Sequence, residues 1–125
     1  MKRPDALVRA ARLAEAAFDR KAEGLVALDL RGLASFADVF LLATGRSTRQ
    51  VRSIADAVQE AALALGDKPL GIEGYQEGRW VLLDLGDVIV HVFQPEIRRH
   101  YDLERLWSEA PVLELFDASP ERVTQ

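Results

Sequence analysis

The spacing of apolar residues predicts two long helices. Over residues 4–21 apolar positions recur every three or four residues, which is typical of an amphipathic helix. A second helix is predicted over residues 48–65, where the same spacing returns. Ser47 and Gln50 form a capping box before it, and Gly66 provides a stop after it.

Short apolar runs between these patterns predict strands. Residues 25–30 and residues 39–43 are the length of buried strands and are rich in aliphatic side chains. A glycine-rich stretch follows the second helix and reads mainly as loop, with one short strand near residues 70–73. The sequence therefore predicts strands both before and after the second helix.

Residues 80–85 and residues 88–93 predict a β-hairpin. The two residues between them are Gly86 and Asp87, and glycine in the first position suits a type II′ turn. This turn sets the register, which places one face of the hairpin in the core because that face is wholly aliphatic. The predicted aliphatic face contains Val81, Leu83, Leu85, Val88, Val90 and Val92.

The opposite face of the hairpin is chemically mixed. In the same register it carries Trp80, Leu82, Asp84, Ile89, His91 and Phe93. One interpretation is a second core layer, with His91 hydrogen-bonded inside it. The other is a surface for a partner, since tryptophan and its aromatic neighbours are enriched at binding hot spots.

The segment after the hairpin has the same ambiguity. Pro95 suits the start of a short basic helix, and Asp102 suits the cap of another that runs to Trp107. The apolar residues of this segment either fold back onto the sheet or extend a docking surface. Their density, together with the mixed face of the hairpin, favours docking.

Composition limits the class of protein. The chain has 125 residues, the size of one domain, which we expect over residues 1–116 with a disordered tail over 117–125. It has no cysteine, which excludes disulfides and thiolate zinc sites. A formal net charge of −4 argues against a protein that grips phosphates, so little direct nucleic-acid binding and a protein partner are expected. The longest apolar run is too short to span a bilayer, which favours a cytoplasmic protein without membrane contact.

Candidate catalytic chemistry is sparse. His91 and His100 share no metal-ligand spacing with each other or with a carboxylate cluster. Asp84 and Asp87 flank the tight turn, where aspartate is favoured for turn geometry. Residues 45–47 could hold an anion at a helix start, but the spacing and lysine of a phosphate loop are missing and capping explains Ser47.

Four blocks in order resemble the ribosomal silencing factor family, also called Iojap-like. They are residues 33–51 (LASFADVFLLATGRSTRQV), Glu73-Gly74, residues 80–93 (WVLLDLGDVIVHVF) and residues 101–107 (YDLERLW). The match spans about residues 25–111. Gln94 departs from it, since many relatives have another polar residue there, often histidine.

The resemblance implies an α/β fold with a mixed sheet of about four to five strands packed with helices. That fold is similar to nucleotidyltransferases but lacks their catalytic carboxylates, so no enzymatic activity and no cofactor are expected. It also implies binding to the large ribosomal subunit through the large-subunit ribosomal protein numbered fourteen, at the intersubunit face. A factor bound there blocks association with the small subunit and represses translation when nutrients are scarce.

Carried over onto this sequence, the resemblance implies a group of partner-binding residues. They are Trp80, Asp84, His91, Phe93, Tyr101, Asp102, Leu103, Glu104, Leu106 and Trp107. A homodimer is left open. The alternatives are a nucleotidyltransferase-like enzyme or nucleotide-binding protein, which would use residues 45–47 and Asp84 or Asp87, and an RNA-binding adaptor.

Overall fold

A computed structural model describes residues 5–115 as one six-stranded mixed sheet with helices. Its elements in chain order are α1 (Ala6–Asp19), β1 (Glu23–Asp29), β2 (Val39–Thr44), α2 (Thr48–Ala64), β3 (Gly71–Glu73), β4 (Trp80–Asp84), β5 (Val88–Phe93), α3 (Pro95–Tyr101), α4 (Leu103–Leu106) and β6 (Val112–Leu113). The predicted α/β class and mixed sheet are confirmed. The sheet has six strands, more than predicted, because β6 is too short to leave a periodic signal.

The strands lie in the order β3-β4-β5-β2-β1-β6. β2 and β5 are parallel neighbours at the centre, and every other pair is antiparallel. A parallel pair needs a crossover connection, which α2, β3 and β4 provide here. The short strands β3 and β6 form the two edges.

The register of the hairpin is the predicted one. Leu83 pairs with Val90, and Leu82 pairs with His91. Gly86 has a φ of +91°, as the first central position of a type II′ turn requires. The aliphatic face is confirmed as core against α1 and α2, since its residues are at most 2% exposed: Val81, Leu83, Leu85, Val88, Val90 and Val92.

The helix ends follow capping chemistry. Asp5 caps α1 by accepting the backbone N–H of Val8, so α1 begins at Ala6, just after the predicted start. Ser47 Oγ accepts the N–H of Gln50 at 3.0 Å, as predicted. The Gln50 side chain differs from a standard capping box because it accepts the N–H of Arg46 at 2.7 Å, one residue before the cap.

Two predictions lie outside the described residues: the place of residue 4 in the first helix, and the disordered tail over residues 117–125. Within residues 5–115 none of the helices is both long enough and apolar enough to cross a bilayer.

Candidate functional site

Aromatic side chains form a connected cluster on the face of the sheet opposite α1 and α2. This aromatic cluster consists of Phe36, Phe40, Trp80, His91, Phe93, Tyr101 and Trp107. Neighbouring ring centroids lie between 4.6 Å and 6.1 Å apart, within the range of favourable edge and offset contacts. The mixed face predicted from the hairpin is therefore the base of a larger aromatic assembly.

The central strands position the base of the cluster. Trp80 pairs with Phe93 across the hairpin, and His91 lies two residues along on the same face. β2 runs parallel to β5 and brings the ring of Phe40 within 4.6 Å of the His91 imidazole, nearly edge to face. Three adjacent strands thus fix these rings through backbone register.

The α3–α4 segment completes the cluster from above. Tyr101 ends α3, and its ring centroid lies 4.9 Å from that of Trp80. Trp107 follows α4 directly, and its ring centroid lies 6.0 Å from that of Phe40. Asp102 joins the two helices in the left-handed region at φ +47°. The prediction that Asp102 caps α4 needs correction, because its side chain makes no capping hydrogen bond. Aspartate suits this position because it adopts the left-handed backbone conformation more readily than most residues.

Three of the predicted partner-binding residues lie beneath the surface. Phe93 is fully buried, and His91 and Leu103 are only 4% and 9% exposed. Phe93 and Leu103 belong to a second hydrophobic core, distinct from the one under α1 and α2. The mixed face of the hairpin therefore includes a second core layer, and these residues support the surface above it.

Another group of residues offers accessible apolar area, and we call it the aromatic surface. It consists of Phe36, Trp80, Tyr101, Leu106 and Trp107. Tyr101 and Leu106 are 52% and 71% exposed, whereas the two tryptophans are half-buried. Phe36, 56% exposed and in ring contact with Trp107, was not predicted. Its signal in the sequence is a lone aromatic residue in the connection between two strands.

The predicted acidic residues have roles within the fold. Asp84 accepts the backbone N–H of Gly86 at 2.9 Å, which stabilises the hairpin turn. Glu104 accepts two hydrogen bonds from the Arg98 guanidinium, at 2.8 Å and 3.2 Å. Both carboxylates thus serve the chain's own structure, and Glu104 holds α4 to α3.

His91 is the buried polar residue of the aromatic cluster. The indole N–H of Trp80 donates to His91 Nδ1 at 3.1 Å. Burial lowers the pKa of His91 to about 4 from its usual 6.5, because a charged imidazole would lose its hydration there. His91 is therefore neutral at physiological pH and able to accept the indole hydrogen.

A cleft of about 540 Å³ with several charged residues in its lining opens at the carboxyl ends of β2 and β5, beside the start of α2. Ligands of open α/β sheets commonly bind at such an edge. Here Arg46 pairs with Glu23 at 2.8 Å, and Arg98 binds Thr44 and Glu104. Two of the three guanidinium groups that line the cleft thus already have partners within the chain, which argues against a phosphate cradle.

The two aspartates of the enzymatic alternative are held by different parts of the structure. Asp84 supports the turn, while Asp87 binds the guanidinium of Arg9 on α1. Among residues 5–115 there is no group of three or more histidine, cysteine or acidic side chains that could hold a metal ion. The positions of Asp84 and Asp87 are explained by their contacts within the fold.

Comparison with known families agrees with the resemblance seen in the sequence. The family model described as "Ribosomal silencing factor during starvation" matches residues 3–125. Proteins named "Ribosomal silencing factor RsfS" are similar to this chain. The one from Halalkalibacterium halodurans is 47% identical over 97 residues, covering 78% of this chain and 83% of the relative. The one from Bacillus subtilis is 45% identical over 102 residues, covering 82% and 86%.

A solved structure extends the similarity to the fold. The crystal structure of a protein from Chromobacterium violaceum superposes with a TM-score of 0.82 at 38% sequence identity. The match covers 84% of this chain and 88% of that one. Sequence and fold therefore point to the same group of proteins.

Proposed function

Because this chain belongs to the ribosomal silencing factor family, we propose that it binds the large ribosomal subunit at the face that meets the small subunit. A factor seated there prevents the subunits from joining. The observation that carries the proposal is the aromatic surface, where exposed rings rest on a packed second core. Exposed apolar area of this kind is typical of protein-binding sites.

The partner within the large subunit is proposed to be ribosomal protein fourteen. Support comes from the types of residue exposed, since Trp80, Tyr101 and Trp107 belong to classes that dominate binding hot spots. The net charge of −4 complements a basic ribosomal protein and disfavours contact with RNA phosphates. Asp102, half-buried at the edge of this surface, is the acidic residue best placed to add such complementarity.

The proposed mechanism is steric and needs neither catalysis nor a cofactor. Tyr101 and Trp107 are held by ring contacts to the cluster below, so the surface is largely formed before binding. A preformed surface spends less of its binding free energy on ordering side chains. The bound factor then occupies space that the small subunit needs, and translation in the cytoplasm falls under nutrient limitation.

Sedimentation of purified subunits with the protein tests this function. The protein should migrate with isolated large subunits and reduce the formation of complete ribosomes from free subunits. It should have little effect on ribosomes that are already joined, because the site is covered there. Equal sedimentation with small subunits, or unimpaired joining at saturating protein, would contradict the proposal.

The nucleotide-binding alternative would use residues 45–47 and Asp84 or Asp87, and of these Arg46 lines the cleft at the ends of β2 and β5. Titration with ATP and Mg²⁺ separates it from the docking function. Metal-dependent binding that is lost on replacing Arg46 or Arg98 would favour the alternative. We expect no saturable binding of ATP, because Arg46 and Arg98, two of the three arginines that line the cleft, already have partners within the chain.

A further inference from the structure

The half-buried indole of Trp80 is tied to a buried group. Its N–H donates to His91 Nδ1 at 3.1 Å, and the two residues lie diagonally across the hairpin on one face. The other side of the indole meets Tyr101, with ring centroids 4.9 Å apart. Trp80 thus connects the second core to the aromatic surface.

The second nitrogen of His91 makes this bond unusual. Because Nδ1 accepts a hydrogen, the neutral ring carries its own proton on Nε2. Nε2 is buried and has no hydrogen-bond partner among residues 5–115. Besides Trp80, the rings next to the His91 imidazole are those of Phe40 and Phe93, whose centroids lie 4.6 Å and 6.1 Å from its own. An unpaired buried N–H weakens folding, so packing alone would be better served by an aliphatic side chain.

The bond also decides what Trp80 presents to a partner. A free indole N–H on the surface would need an acceptor from the partner or would be buried unpaired in the complex. Since His91 accepts this hydrogen, the one polar atom of the Trp80 side chain already has a partner within the chain. An apolar side chain of the partner can then cover it without loss of a hydrogen bond.

We propose that His91 is a positioning residue for docking: it holds the Trp80 indole inward by its N–H and so makes the aromatic surface apolar and preformed. This inference rests on the proposed function and adds to it the chemistry of the matching patch. The patch on the partner is apolar opposite Trp80 and supplies no acceptor for it. His91 itself stays beneath the interface and does not touch the partner.

Three variants test the proposal: His91→Leu, Trp80→Phe and the double variant. His91→Leu removes the acceptor together with the unpaired Nε2, so its melting temperature should equal or exceed that of the wild type. Its affinity for the large subunit should fall by roughly two- to tenfold, the range expected when one large side chain must be ordered on binding. In the Trp80→Phe background, which has no indole N–H, His91→Leu should cause no further loss of affinity.

Indole N–H exchange, followed by NMR, provides a readout that packing alone would not move. The chain has two tryptophans, so Trp107 serves as the internal reference. His91→Leu should accelerate exchange of the Trp80 indole hydrogen and leave that of Trp107 unchanged. His91→Asn, which keeps an acceptor near the position of Nδ1, should restore part of both the protection and the affinity.

The outcomes separate the two levels of inference. Wild-type affinity in His91→Leu, or equal losses of affinity in both backgrounds of the cycle, would overturn the role of His91 alone. A parallel fall in melting temperature and affinity would assign His91 to the core and also overturn it. Failure of the wild-type protein to bind large subunits would instead remove the proposed function, and with it any docking role for His91.

Discussion

Arg9 and Asp67 form an ion pair that is buried on both sides. Arg9 Nε lies 3.2 Å from Asp67 Oδ2, and each side chain is 1% exposed. Arg9 also binds Asp87 in the hairpin turn. One guanidinium thus joins α1, the segment after α2 and the β4–β5 turn, which come from distant parts of the sequence.

Replacing Arg9 with methionine should destabilise the fold strongly. The variant keeps the apolar length of the side chain but leaves the buried Asp67 carboxylate without this partner, which typically costs about 3–5 kcal/mol. Arg12→Met, one turn further along α1 at an exposed position, is the matched control and should change stability little. Chemical denaturation of both variants measures the difference. Equal stabilities would show that the buried pair contributes nothing.

Val90→Ala should lower stability without removing function. Val90 is fully buried between β2 and β4, and truncation of such a side chain costs on the order of 1–3 kcal/mol through lost burial and a residual cavity. Val112→Ala on the edge strand β6, where the side chain is 65% exposed, is the control. At a temperature where Val90→Ala is folded, it should bind large subunits as the wild type does. Weak binding by the folded variant would place Val90 in the function.

Replacing each of the two hairpin aspartates with asparagine should distinguish the turn hydrogen bond of Asp84 from the ion pair of Asp87 with Arg9. Asp84→Asn keeps an oxygen to accept the Gly86 N–H, so stability and subunit binding should stay near those of the wild type. Asp87→Asn removes the charge opposite Arg9 and should be the less stable of the two. Both variants should still block subunit joining when folded. A nucleotidylated product that requires Asp84 would contradict this and revive the enzymatic alternative.

The local structure was predictable because short-range chemistry determines it. A two-residue turn fixed the register of the hairpin, and Ser47 fixed the start of α2. β6 was missed because two residues carry no period, and its pairing with β1 depends on contacts far along the chain. The left-handed backbone at Asp102 was missed for a related reason, since aspartate suits both a helix cap and that conformation.

The candidate site was predictable only in part. Trp80 and Phe93 face each other in the hairpin, and the pattern alone fits both a core and a docking surface. The two interpretations are distinguished by the packing of α3, α4 and the segment between β1 and β2 over this face. That packing buries Phe93 and leaves Trp80 half-exposed. Arg9 was overlooked because it interrupts an apolar helix face, and its partners lie 58 and 78 residues away.

Tyr101→Ala should weaken binding with little effect on folding. The side chain is 52% exposed and stands beside Trp80, and truncating an anchor of this type commonly costs about 2 kcal/mol or more of binding. Phe18→Ala is the matched control, since Phe18 is an aromatic residue of equal exposure, 51%, on α1. Affinity for large subunits and the melting temperature decide the assignment. Early melting with normal binding at low temperature would make Tyr101 part of the core.

The stability of the protein should fall on mild acidification because of His91. Its pKa is about 4 in the folded protein, lowered by burial from the usual 6.5 that applies when unfolded. Between these values the unfolded chain binds a proton that the folded chain does not, so the free energy of unfolding falls as pH falls. The contribution of neutral His91 to the free energy of unfolding is fully present above about pH 6.5 and is fully lost below about pH 4.

Denaturation of the wild type and of His91→Leu at about pH 7.5 and about pH 4.5 measures this contribution. Each pKa unit corresponds to about 1.4 kcal/mol, so the wild type should lose roughly 2–3 kcal/mol more than the variant over this interval. The variant keeps every other titrating group, so the difference isolates one imidazole. Protonation also turns Nδ1 into a donor and ends its bond with the Trp80 indole. Because this protonation takes place in the folded protein, protection of the indole hydrogen should fall only as the pH approaches and passes below about 4, and in the wild type alone. Equal pH dependence in both proteins would mean that the His91 imidazole is hydrated and not held inside the aromatic cluster.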